Sequence, residues 1–143
     1  MAVYFSNGDI DFSLQNEELL KKWILQVIKN HEKKLGKLNY LFCSDEEVYN
    51  ANVKFLNHDT YTDIITFDNV EGDSISGDIM ISVDRVGDNA KLFSAKFEDE
   101  LHRVIIHGVL HLLGFKDKSD EDAALMRKKE NESLQLLKSI SCC

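Results

Sequence analysis

Val104-Ile105-Ile106-His107-Gly108-Val109-Leu110-His111-Leu112-Leu113-Gly114-Phe115-Lys116-Asp117 is apolar round nearly the whole circumference of a helix, with one exception. At about 100° per residue, Glu100, Arg103, His107, His111 and Gly114 fall in one narrow stripe. A helix of this kind is expected to be buried on most sides, and its polar stripe to face a cleft or a bound ion. Two imidazoles four residues apart project about 40° from each other, close enough to reach one ion. Burying them without partners would be costly. Gly114 can adopt the left-handed backbone that ends a helix and turns the chain back. Asp117 then follows at the right interval for a third ligand, so His107, His111 and Asp117 are the expected metal ligands. The spacing H-x-x-x-H-x-x-G-x-x-(H/D) is that of metzincins, except that Gly108 stands where a zinc protease carries its general-base glutamate.

Outward from this helix, the spacing predicts an α+β domain. A strand is expected over residues 3–5. A helix runs from about Asn16, with Leu19, Leu20, Trp23, Ile24, Val27 and Ile28 at helical spacing and Gly36 beyond its end. His31 and its lysine neighbours are placed in its last turns. A strand over 38–43 precedes a helix capped near Ser44 that extends to about Phe55. Strands over 62–67 and 77–83 flank a turn at 69–76. Three helices complete the chain, over 84–93, 95–113 and 121–137, the last capped by Ser119 or Asp120. The expected architecture is a small mixed four-stranded sheet with about five helices and the histidine helix at its centre.

Bulk properties bound the function. A chain of 143 residues is expected to form one domain with its own core, and no apolar run approaches a membrane span. The first residues lack the charge, apolar stretch and small-residue site of a signal peptide, so a cytoplasmic protein is expected. Three cysteines (Cys43, Cys142 and Cys143) make no disulfide framework and fit a reducing compartment. The net charge of −8 argues against a generic nucleic-acid coat. Residues 1–40 are nonetheless net +1, with six lysines against five acids, and the remainder net −9. Those lysines read as a solvated helix face. Arg127-Lys128-Lys129 reads the same way. Trp23 reads as core, Cys43 as a small buried hydrophobe and His102 as structural.

Three ordered blocks resemble the YbeY family of bacterial rRNA maturation factors. Leu56-Asn57-His58-Asp59-Thr60-Tyr61-Thr62-Asp63-Ile64-Ile65-Thr66-Phe67 resembles the family's D-x-x-T-(D/N)-V-L-S-F block. Gly77-Asp78-Ile79-Met80-Ile81-Ser82-Val83-Asp84 resembles G-(E/D)-I-x-I-S, and His107 to Asp117 resembles H-G-x-L-H-L-x-G-Y-D-H. The resemblance implies a metal-dependent endoribonuclease specific for single strands, acting on ribosomal RNA and ribosomal particles. It implies roles in maturation of the 16S rRNA 3′ end and in ribosome quality control. It also implies one zinc ion on the two histidines and the third motif position.

Two departures stand out. Asp117 replaces the family's common histidine, adding negative charge and tolerance for harder metals. Leu56 stands where the family carries an arginine before its D-x-x-T segment, which bears on transition-state stabilisation more than on metal binding. Lys54 and Arg103 are the candidates to replace that charge. No side chain of the motif is an obvious proton acceptor. The free oxygen of Asp117, His58 and Asp59 are the groups near enough in sequence, and Asp63 and Asp78 are further candidates to line the cleft. Two other readings stand beside the nuclease: a ribosome-associated binding factor with a structural metal, and, more weakly, a zinc protease.

Overall fold

The structure, a computed structural model, describes residues 2–141. The adjacent Cys142 and Cys143 lie outside those residues. Nine elements follow the order β-α-β-α-β-β-α-α-α: β1 (Ala2–Asn7), α1 (Glu17–Asn30), β2 (Lys34–Cys43), α2 (Asp45–Leu56), β3 (Ile64–Asp68), β4 (Ser74–Ser82), α3 (Val83–Leu92), α4 (Phe97–Leu112) and α5 (Asp120–Ser141). The sheet is mixed and four-stranded, ordered β1-β2-β4-β3. β1 and β4 both run parallel to β2, and β3 pairs antiparallel with β4.

The expected α+β class and order hold, with differences at element ends. Gly36 lies beyond the helix as expected, but β2 begins at Lys34 and so already includes it. α1 instead closes at Glu32, which takes φ 60° while Lys33 N–H donates to the Ile28 carbonyl at 3.2 Å. This is a left-handed helix stop without glycine. Lys33 and Lys34 therefore leave the helix, and only Lys29 sits in its last turn. β4 begins at Ser74, inside the stretch read as a turn, because Ser74 and Ile75 extend the ladder with Lys34 and Leu35. Ser44 caps α2 by accepting from Glu47 N–H, and Ser82 caps α3 in the same way from Arg85 N–H, each at 3.1 Å. Ser119, not Asp120, caps α5, its hydroxyl accepting from Asp122 N–H at 3.0 Å.

The two faces of the sheet are covered unequally. α2 covers one, where Cys43, Val48, Ala51 and Ile65 are buried together. On the other, Leu38, Tyr40 and Phe42 of β2 and Ile79 and Ile81 of β4 join α1, α4 and α5 in the main core. Trp23 is wholly buried there, and its indole N–H donates to the Ser133 carbonyl at 2.7 Å, tying α1 to α5. Tyr40 donates to the Ile105 carbonyl at 2.9 Å, fixing α4 against the sheet.

α4 is the central helix. Val104, Ile105, Ile106, Val109, Leu110 and Leu112 are all buried. A Cβ built on Gly108 would lie 2.9 Å from Ile79 Cδ1 and 3.3 Å from both Ile79 Cγ2 and Ile64 Cδ1. Gly108 thus lets the helix approach the sheet closely, and a side chain at position 108 would meet Ile79 of the core. Gly108→Ala is expected to lower stability by about 1 kcal/mol. Overpacking costs about 1–3 kcal/mol, and the gain in helix propensity offsets about 1. Urea unfolding of the metal-free protein measures it; an unchanged or raised midpoint contradicts the close approach.

Candidate metal centre and cleft

α4 ends at a left-handed glycine. Gly114 has φ 106°, its N–H donates to the His111 carbonyl at 3.0 Å, and Phe115 N–H reaches back to the Leu110 carbonyl at 3.1 Å. This closure turns the chain sharply and brings Asp117 back over the helix it has just left. Asp117 Oδ2 lies 3.4 Å from His107 Nε2. His107, His111 and Asp117 all line one cleft of about 760 Å³. The polar stripe accompanies them, since Glu100 and Arg103 line the same cleft.

Glu130 of α5, absent from the sequence reading, organises the centre. It is 5% exposed. One carboxylate oxygen accepts from His107 Nδ1 at 2.8 Å and the other from Arg103 Nη1 at 2.9 Å. A carboxylate can only accept, so Nδ1 carries the proton and Nε2 is the nitrogen that faces Asp117. Burial pushes Glu130 up, but the hydrogen bonds from His107 and Arg103 outweigh it and hold the carboxyl below its ordinary value. Burial likewise pushes His107 down. The hydrogen bond and charge of Glu130, with Asp117 and Asp63, leave the imidazole above its ordinary value.

Two imidazoles and a carboxylate suit zinc, and a buried carboxylate holding the far nitrogen of a histidine is the usual support of a histidine ligand. Among the described residues, no three His, Cys, Asp or Glu side chains are already gathered into a metal-holding cluster. His107 and Asp117 are in contact, while His111 is exposed one helical turn further on. The residues fit the ion in chemistry and in sharing one cleft; the cage itself is not drawn together.

The remaining candidates divide. Asp63, immediately before β3, lines the cleft and accepts from Asn89 Nδ2 at 3.3 Å. Burial pushes its carboxyl up, against the smaller pull of His107. His58 also lines the cleft. Asp59 is instead bound by the Tyr49 hydroxyl, and Asp78 by the amides of Asn39 and Asn69, so neither joins the site. His102 faces away, edge-on to Trp23 at 6.2 Å. Its Nε2 is buried without a hydrogen bond; Glu98 at 3.5 Å is near in charge but not aligned to accept. Cys43 is fully buried, and burial pushes its thiol well up, which suits a packing role.

Leu56 lies at the end of α2 and lines the cleft, so the position of the family arginine faces the site as an apolar side chain. Neither expected substitute is well placed. Lys54 Nζ lies over the Phe55 ring at 5.2 Å, and Arg103 is committed to Glu130. Arg127, read from sequence as solvated surface, lines the cleft. It is 58% exposed and stands 3.7 Å from a Glu130 oxygen that Arg103 already satisfies.

Among the described residues, no helix is long and apolar enough to cross a membrane. A family model described as Endoribonuclease YbeY matches residues 4–138. The Endoribonuclease YbeY of Flavobacterium johnsoniae is 54% identical over 130 residues, spanning 91% of this chain and 94% of that protein. That of Porphyromonas gingivalis is 53% identical over 119 residues, spanning 83% and 79%. The solution structure of TM1509 from Thermotoga maritima matches with a TM-score of 0.65 and 29% identity, over 96% of this chain and 92% of that one. Ordered motifs, fold and near full-length similarity agree: the chain is a member of the YbeY endoribonuclease family.

Proposed function

We propose that this protein is a metal-dependent endoribonuclease that cuts unpaired RNA, with ribosomal RNA and its particles in the cytoplasm as the setting. The observation that carries the reading is the convergence of His107, His111 and Asp117 on one cleft, with Glu130 holding His107 from behind. His107 Nε2, His111 and Asp117 would hold a single zinc ion. When bound, such an ion polarises a phosphoryl oxygen and lowers the pKa of water towards about 7. The chain's own groups do the rest. Glu130 keeps His107 in the tautomer whose Nε2 faces the cleft. Asp63 and His58 are the cleft groups suited to hold or move a proton. The Arg127 guanidinium faces the phosphate that the family arginine would otherwise meet.

Gly108 disfavours the protease reading. Without a side chain there, the motif lacks the carboxylate that a zinc protease uses as its general base.

The test compares metal-loaded and chelated protein on unstructured RNA, structured RNA and casein. Cleavage of unstructured RNA alone, lost with chelator and restored by zinc, is expected. Casein cleavage without RNA cleavage would reverse the assignment. For Arg127→Ala, KM for single-stranded RNA is expected to rise about tenfold. The slope of log binding against log salt should fall by about 0.7, as when one phosphate contact is lost. An unaltered slope removes Arg127 from the RNA path.

A further inference from the structure

We propose that Phe93 is a base-stacking platform at the cleft, and that it makes the site select unpaired RNA. The inference rests on the endoribonuclease reading and adds how the substrate's bases are held. Phe93 closes α3 and is 59% exposed, yet it lines the same cleft as His107 and Arg127. Among the described residues, the other largely exposed aromatic rings are already engaged. Tyr61 stacks on Tyr49 at 4.2 Å with Arg85 over it at 5.3 Å. Phe55 meets Phe67 at 6.0 Å and Lys54 at 5.2 Å, and Tyr4 meets Lys37 at 5.8 Å. Phe93 has no ring or cation against it among those residues.

Its backbone is held firmly. Phe93 N–H donates to the Asn89 carbonyl at 2.9 Å, Ser94 takes φ 54°, and Ala95 N–H reaches the Ala90 carbonyl at 2.8 Å. Asn89, one turn earlier, bonds Asp63 inside the cleft, so the turn that presents the ring is pinned to the site. A water-facing ring kept on a fixed turn beside phosphate-facing charge suits a nucleobase, because every base offers an apolar face to an aromatic ring. In a duplex both faces of each base are covered by its neighbours, and the ring has nothing to receive. The preference for unpaired strands then follows from geometry, with little dependence on sequence.

The experiment uses the full chain loaded with zinc. Binding and single-turnover cleavage are measured on a labelled single-stranded oligoribonucleotide, on a hairpin of the same sequence, and on a series with one abasic nucleotide at successive positions. Phe93→Ala and Phe93→Leu are expected to weaken single-strand binding about tenfold, by the usual worth of one stacked base. Phe93→Trp should restore it, and hairpin binding should barely change. A merely structural role would be rescued by leucine. For wild type, one abasic position should cost as much as losing the ring, and that cost should vanish in Phe93→Ala. Wild-type cleavage with equal binding by Phe93→Ala, or an abasic penalty that persists in the variant, overturns the platform while leaving the nuclease. Wild type that cuts no RNA overturns the nuclease reading itself.

Discussion

Replacing His111 with alanine is expected to abolish metal-dependent cleavage of single-stranded RNA, by about 10²–10⁴-fold, while the protein stays folded. The size follows from the several kcal/mol of charge stabilisation that a bound ion supplies, at about 1.4 kcal/mol per tenfold in rate. His111 is the better choice for this test than His107. It is exposed on the cleft side of α4 and makes no hydrogen bond or ion pair with Glu130 or Arg103, whereas His107 is bonded to the buried Glu130. Truncating it removes a ligand without opening the core. Elemental analysis should show zinc content falling with activity, and thermal unfolding without metal should match wild type. The stabilisation that zinc adds to wild type should shrink in the variant, since only binding to the folded state raises apparent stability. If cleavage persists and only the zinc-dependent stability falls, the ion is scaffolding and the binding-factor reading takes over.

The features legible in sequence are those whose geometry is local. A histidine pair at helical spacing and a glycine stop specify one cleft face and one reversal, and Asp117 indeed meets His107 at 3.4 Å. The first half of β2 is hidden because Lys34 reads as the end of a helix and Gly36 and Lys37 as the connection that follows it. Their strand is made by partners 35 or more residues away, including Ala2 of β1 and the Ser76 hydroxyl that accepts from Lys37 N–H at 2.9 Å. Arg127 and Glu130 were hidden for the same reason. Within Arg127-Lys128-Lys129-Glu130-Asn131-Glu132, every side chain reads as solvated until α5 is laid on α4. One signal was available: Met126, Glu130, Ser133 and Leu137 form the buried stripe of α5. A glutamate in line with apolar residues at that spacing must bury its charge, and so must have a partner.

That partnership sets the second large effect, at Glu130. Glu130→Ala is expected to cost about 2–3 kcal/mol of stability in the metal-free protein. Breaking one side of a buried pair typically costs about 3–5 kcal/mol, and partial exposure of the Arg103 side chain lowers this case to about 2–3 kcal/mol. Arg103 would lose its 2.9 Å acceptor and His107 its 2.8 Å acceptor, leaving two donors facing a void. Zinc affinity should fall about 10–100-fold, the usual effect of losing the group that orients a histidine ligand. Glu130→Gln separates the two consequences. The amide fills the same space, but its nitrogen cannot accept, so one of the two donors meets another donor. If Arg103 keeps the oxygen, His107 is free to turn or to change tautomer, and zinc affinity falls with little loss of stability. Adding Arg103→Met to Glu130→Gln removes the competing donor, so the amide oxygen can accept from His107 again and zinc affinity should recover in part. Isothermal titration with zinc and urea unfolding of the three variants read the two quantities independently. Wild-type zinc affinity in Glu130→Gln would mean that His107 is oriented by its own packing, and the role assigned to α5 in the metal centre would fall.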